Sequence, residues 1–172
     1  MSRLVLPILS ADTQAIQEYC KKSPHLSLTN LLPFYMAGPD ADKERLFFLE
    51  TMRPFLKTKE DANAKCENGF TPIFYTLIYL VHELQSYATN VRSGDSNNFS
   101  HNELLEDMKI EQNKKYIKKF EESIKLLLDS GADVHIKNND GVSPFEYAMK
   151  HKASLKALID PELYQRILET AQ

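Results

Sequence analysis

The sequence predicts an all-α fold built from short helix–turn–helix units, and three observations carry that prediction. One stretch, Asp129 to Ala148, reads as the end of a helix, a long polar turn and the start of another helix. The same turn chemistry recurs twice upstream. Between and beyond the turns, apolar residues fall at helical spacing, above all Ile73, Leu77, Leu80, Val81, Leu84 and Ala88.

Within the first stretch, Ile124, Leu127 and Leu128 share one helical face, and Gly131 follows as the left-handed residue that stops the helix. Asn138-Asn139-Asp140-Gly141 is turn chemistry, with Gly141 free to take positive φ. Ser143 is a good N-cap, and Pro144 at the first helical position forfeits no needed hydrogen bond. The run Asp61-Ala62-Asn63-Ala64-Lys65-Cys66-Glu67-Asn68-Gly69-Phe70-Thr71-Pro72-Ile73 repeats the turn, the glycine and the hydroxyl–proline pair. A third, weaker copy is Leu32-Pro33-Phe34-Tyr35-Met36-Ala37, with Asn30 at the glycine position. Asn is the next residue after Gly to tolerate a left-handed backbone.

These runs, with Gly131-Ala132-Asp133-Val134 before the turn and Lys137, Asp140-Gly141 and Ser143-Pro144-Phe145 after it, resemble the junction between two ankyrin repeats. That family repeats about every 33 residues and carries a Thr-Pro-Leu-His-x-Ala element. Here the motif prolines Pro33, Pro72 and Pro144 lie 39 and 72 residues apart, so neither spacing equals the family period. The first implies roughly six extra residues against that period. The second implies a large insertion, or an unrecognisable repeat plus a small one. The resemblance implies an ankyrin-repeat solenoid in one domain, residues 1–172. Its parts are an N-terminal cap (1–26), repeat 1 (27–62), repeat 2 (63–137, with an insertion at about 82–117), repeat 3 (138–159) and a C-terminal cap helix (160–172).

Taken in order, Ser10 or Asp12 caps a first helix through about Lys21, with Ile16, Tyr19 and Cys20 as its apolar stripe. Pro39-Asp40 opens the next, with Leu46, Phe47, Leu49 and Met52 inward, and Pro54 kinks or ends it. From Pro72 the apolar period lasts about four turns. Ser93-Gly94-Asp95-Ser96-Asn97-Asn98 reads as a linker, and Ser100-His101-Asn102-Glu103 as a capping box. The helix it starts reaches Asp129 unless the polar run Glu111 to Lys115 breaks it. The economical reading is a projecting hairpin. A degenerate repeat at 96–112 competes with it but has no Thr-Pro or Gly-bearing turn. After Ala148 the last repeat continues through Leu155, Leu158 and Ile159. Asp160-Pro161 then starts a helix that is apolar at Leu163, Ile167 and Leu168 and polar opposite, as a terminal cap needs.

Composition narrows the function. A net charge of −3 gives no global attraction to nucleic acid or anionic lipid. Two cysteines, Cys20 and Cys66, do not make a disulfide framework, which points to a reducing compartment, cytosolic or nuclear. No stretch approaches a membrane span of about 20 apolar residues, and Met1 to Pro7 reads as too short an apolar run for a secretory signal. The histidines (His25, His82, His101, His135, His151) are scattered, and no phosphate loop, nucleophile elbow or zinc motif is present. No catalytic residue, metal ligand or cofactor is therefore expected, and the chain reads as a monomeric, non-enzymatic protein. Asp61 and Asp133 read as turn acceptors, His135 as a side chain bonding to turn backbone, and Cys66 as an exposed tip residue.

What the resemblance implies is binding of a protein partner in the concave groove made by the turn tips and the first helices. Leu31, Phe70 and Val142, each just after the glycine position, would form an apolar stripe along that groove. Glu67, Asn68, Asn139 and Asp140 flank it at the tips, and Ile78, Tyr79, Lys150 and His151 line it from the helices. Two alternatives use the insertion. In one, the chain is a regulatory or inhibitory subunit whose hairpin, with Lys114, Lys115, Lys118 and Lys119, makes the contact, although Glu111, Glu121 and Glu122 dilute that charge. In the other, His82, His101 and Glu103 converge into an enzyme site. Small irregular ankyrin proteins also occur among effectors injected by intracellular bacteria, and the Lys-, Asn-, Phe- and Ile-rich composition is compatible with such a role in host cytosol.

Overall fold

A computed structural model describes residues 53–66, 68–93 and 102–169, with side chains for all of these except Pro54, 90–93 and 102–109. The N-terminal cap, the weak copy around Pro33, Leu31, Glu67, and Ser100 and His101 of the expected capping box lie outside the described residues. Among the described residues every regular element is helical. None of these helices is long and apolar enough to cross a membrane.

A single 3₁₀ turn, Arg53–Phe55, carries Pro54, and the helix that this proline was expected to kink or end lies outside the described residues. Helix α1 is short, Lys59–Ala62. Thr58 and Asp61 close it with a capping box. The Thr58 hydroxyl accepts from Asp61 N at 3.2 Å, and the Asp61 carboxylate accepts from Thr58 N at 2.9 Å.

Helix α2, Pro72–Ser93, runs 22 residues, which exceeds the expected four turns by about two. Its buried stripe is the one the apolar period marks: Ile73, Leu77, Leu80, Val81 and Leu84. Helix α3, Asn102–Asp129, runs 28 residues without a break. The polar run does not interrupt it because its residues divide between two faces. Asn113 turns inward and donates its amide to Glu83 Oε2 at 3.1 Å, both side chains being buried. Glu111 and Lys114 pair outside at 2.6 Å. The helices are antiparallel, since Glu83 meets Asn113 and the Tyr79 ring stacks on Phe120 with centroids 6.5 Å apart. Gly131 then stops α3 at φ 83°, with Gly131 N bonded to Leu128 O and Ala132 N to Leu127 O, which is a Schellman ending.

Helices α4 (Pro144–Lys150) and α5 (Lys152–Leu158) form one rod bent at His151. The rod follows α2. Tyr147 lies against Phe74 with ring centroids 5.6 Å apart, and farther along Leu158 shares a groove with Tyr87. Helix α6, Pro161–Glu169, follows α3. Glu121 accepts from Asp160 N at 2.7 Å, Lys125 pairs with Asp160 at 3.1 Å, and Asp129 pairs with Arg166 at 2.6 Å, so α3 and α6 run the same way. The described chain is therefore two helical hairpins laid side by side in register, α2/α3 and α4–α5/α6. Their common core includes Leu77, Phe120, Ile124, Leu127, Val134, Leu155, Leu163 and Ile167.

Candidate interaction surface

The two described turns have one construction. In each, a left-handed glycine turns the chain, Gly69 at φ 78° and Gly141 at φ 79°. In each, the residue three before that glycine closes the tip. Cys66 N donates to Phe70 O and Gly69 N to Cys66 O, as Asn138 N donates to Val142 O and Gly141 N to Asn138 O. The chemistry inside the tips differs. Asn138 fills its tip with its own amide, its Oδ1 accepting from Asp140 N at 3.0 Å and Val142 N at 2.9 Å. A thiol cannot take that role, and Cys66 instead reaches the Tyr75 hydroxyl at 3.5 Å. Cys66 is therefore half-buried rather than exposed.

The turns stand side by side, joined rung by rung. Asn63 donates to Gly131 O at 2.9 Å and accepts from Asp133 N at 2.7 Å. Lys65 Nζ reaches Lys137 O at 2.8 Å, and Asn139 N reaches Asn68 O at 3.2 Å. Asp133 is the expected turn acceptor, for His135 N at 2.7 Å, whereas Asp61 lies in α1 and caps it, accepting from Lys57 N and Thr58 N. The His135 ring does not bond to turn backbone. It lies against Phe145 with centroids 5.4 Å apart, and Asn63 makes the bonds expected of such a side chain.

Of the residues expected to line the groove, Asn68, Asn139, Asp140, Val142 and Lys150 are exposed, and Phe70, Ile78, Tyr79 and His151 are half-buried. Phe70 is not an isolated tip residue. Its ring meets Phe74 at 4.9 Å and Tyr75 at 5.2 Å, Phe74 meets Tyr147 at 5.6 Å, and Tyr147 meets His151 at 4.6 Å. A continuous row of rings thus runs from the first tip across α2 onto α4. Tyr79 stands apart from this row, stacked on Phe120 of α3. Phe74, Tyr75 and Tyr147 are absent from the sequence prediction, although one signal was available: Tyr75 and Tyr147 sit three residues after Pro72 and Pro144. Burial raises the Tyr75 phenol well above the ordinary tyrosine range, helped by Cys66, and burial also raises Tyr147. Both rings therefore stay neutral and can donate or accept a hydrogen bond at the edge of an apolar strip.

Glu146 flanks the row on α4. Hydrogen bonds from Ser143 hold its carboxylate below the ordinary range, with a smaller contribution from Lys137 at 3.5 Å. The hairpin carries a second concavity of about 290 Å³ lined by Tyr87, Lys114, Ile117, Lys118, Glu121 and Leu158. Glu121 is raised there, chiefly by burial. The lysine charge is diluted as expected, by the Glu111–Lys114 pair and by Lys119–Glu122 at 3.4 Å. No family model, no curated protein and no solved structure matches the chain.

Proposed function

We propose that this chain is a non-catalytic binding module of ankyrin-like repeats. It holds a protein partner across the turn tips and the inner faces of α2 and α4, in the cytosol or nucleus. The observation that carries this reading is the row Tyr75–Phe70–Phe74–Tyr147–His151. Phe74 is buried and anchors the row, while half-buried Phe70, Tyr75, Tyr147 and His151 give a partner rigid contact area, and tyrosine adds a polar edge that fixes orientation. Exposed Asn68, Asn139, Asp140 and Lys150 supply the polar rim that such interfaces carry.

The test is a paired capture from cell extract with mass spectrometry. One bait is the native chain. A second carries Val142→Asp and Lys150→Glu, at exposed positions that leave the core intact. A third carries Lys115→Glu and Lys118→Glu on the hairpin. The expected result is a partner retained by the native and hairpin baits and lost by the tip bait, with circular dichroism showing all three folded. Retention by the tip bait and loss by the hairpin bait would transfer the site to the groove beside Tyr87.

A further inference from the structure

The sequence contains one Asn followed directly by Gly, and the pair stands at the first turn tip: Asn68–Gly69. Such a pair can react with itself, which is one root of the thermal lability of asparagine. Glycine has no Cβ, so its amide nitrogen can approach the preceding side chain closely. The Gly69 nitrogen, once deprotonated, attacks Asn68 Cγ. The new N–Cγ bond closes a five-membered imide, and the Cγ–Nδ2 bond breaks to release ammonia. Water then opens the imide at either carbonyl. One opening leaves aspartate at position 68. The other leaves isoaspartate, whose main chain runs through the former side chain. The second tip carries Asp140–Gly141 at the equivalent place. Closure there must expel water from a carboxyl group, and an ionised carboxylate is a poor electrophile, so Asn68 is the reactive member of the two.

The fold places a gate on this reaction. The Asn68 side chain is exposed and hydrogen-bonds to nothing among the described residues, so its amide is free to turn. Its backbone surroundings are not free. Gly69 N donates to Cys66 O at 2.9 Å, a bond that must be given up before the nitrogen can lose its proton. Asn68 O accepts from Asn139 N of the second tip at 3.2 Å, and Lys65 on the same turn reaches Lys137 O at 2.8 Å. We propose that Asn68–Gly69 is a self-modification site that deamidates when the first tip opens away from the second, so that contact between the two layers sets its rate. The isoaspartyl product inserts one more main-chain carbon between Cys66 and Gly69. The bond from Gly69 N to Cys66 O and the rung from Asn139 N to Asn68 O both lose their spacing, and a tip that has reacted cannot close again in its original form. The aspartyl product keeps the main chain and adds a negative charge to a tip surface that already carries Asp140. Asn68 also belongs to the polar rim proposed for a partner, but the modification does not depend on that reading.

The test is incubation of the full chain in mildly alkaline buffer, followed by peptide mapping with mass spectrometry. Electron-transfer fragmentation separates aspartate from isoaspartate at position 68. The native chain should gain one dalton there, with both products present, and the chain unfolded in urea should convert faster. Lys65→Ala removes one rung from an exposed side chain and should speed conversion of the folded chain about fivefold, the effect of one hydrogen bond on the opening. Asn113→Leu weakens the whole chain through the α2/α3 hairpin without touching the tip, and should leave the rate unchanged because the opening is local. Circular dichroism under the incubation conditions shows that each variant is folded. Conversion in urea with none in the folded chain would overturn the proposal, as would equal rates for folded and unfolded chain. A Lys65→Ala rate equal to the native one would remove the layer contact as the gate. Equal acceleration by Lys65→Ala and Asn113→Leu would do the same, by making global unfolding the route.

Discussion

Gly69 and Gly141 offer a matched measurement of how strongly the two layers are coupled. Both sit at the same place in their turns with φ within a degree of each other, 78° and 79°. Replacement by Ala imposes the same left-handed strain on each, about 1–2 kcal/mol. Their surroundings differ. A Cβ on Gly141 meets nothing within 4 Å. A Cβ on Gly69 would stand 2.5 Å from Asn139 Oδ1, 2.7 Å from Asn139 N and 3.1 Å from Asn138 C. The side-chain oxygen can swing away, but the backbone atoms belong to the neighbouring turn and cannot move without opening the tip contact. That displacement breaks the Asn139 N to Asn68 O bond, worth about 1 kcal/mol net. It adds overpacking of about 1–3 kcal/mol. Gly141→Ala should therefore lower stability by about 1–2 kcal/mol, and Gly69→Ala by a further 2–4 kcal/mol or so. Urea unfolding of both variants followed by circular dichroism measures the difference directly, since the strain term cancels. Equal losses, or a larger loss at Gly141, would mean that the turns do not bear on each other and would refute the stacked arrangement.

Ser143→Ala should cost about 1 kcal/mol through loss of the α4 cap. Glu146, whose pKa is lowered in the folded chain, contributes stability that is present above the ordinary carboxylate range and fades as pH falls through its folded pKa. Glu146→Gln should accordingly flatten the acid limb of a stability–pH curve between about pH 5 and pH 3, and an unchanged limb in urea titrations would count against the cap. Asn113→Leu removes the amide that donates to buried Glu83 and should cost about 1–3 kcal/mol. Adding Glu83→Leu should recover part of that loss by removing the buried carboxylate; a double variant less stable than Asn113→Leu alone would refute this and show that Glu83 is held by contacts other than Asn113.

Where a local signal specified local structure, the sequence was sufficient. The α2 stripe, the Gly131 ending, the glycine at each tip and the Ser143 cap all rest on residues within a few positions of each other. The limits appear where structure depends on distant residues. Asn63 looks like a turn residue, yet its amide ties the first turn to the second, a bond across 68 positions. Tyr79 was expected on the groove because of its place on α2, but Phe120 of α3 draws it aside. His135 was assigned the hydrogen bonds that Asn63 makes, and it packs on Phe145 instead. The shared hydroxyl–proline signature also conceals a difference. Ser143 accepts from Glu146 N at 3.1 Å, whereas the Thr71 hydroxyl is buried with no hydrogen-bond partner. Glu146 explains the contrast, because its carboxylate accepts from Ser143 N and completes the box, while the matching residue on α2 is Phe74.

That contrast bears on what holds the layers in register. A capped helix start is locally sufficient, but α2 begins at a buried Thr71 whose hydroxyl caps nothing, so its position must come from its neighbours. The neighbours provide three kinds of restraint. The rungs from Asn63, Lys65 and Asn68 fix the turn end. The rings from Phe70 to His151 fix the inner face. Asp160, held by Glu121 and Lys125, fixes the second helices against each other. The inner face is thus both the surface proposed for a partner and one of the seams that position α4 on α2. Small polar substitutions at its rim, at Val142 or Lys150, should separate binding from folding, while truncation of Phe74 or Tyr147 should lower both together.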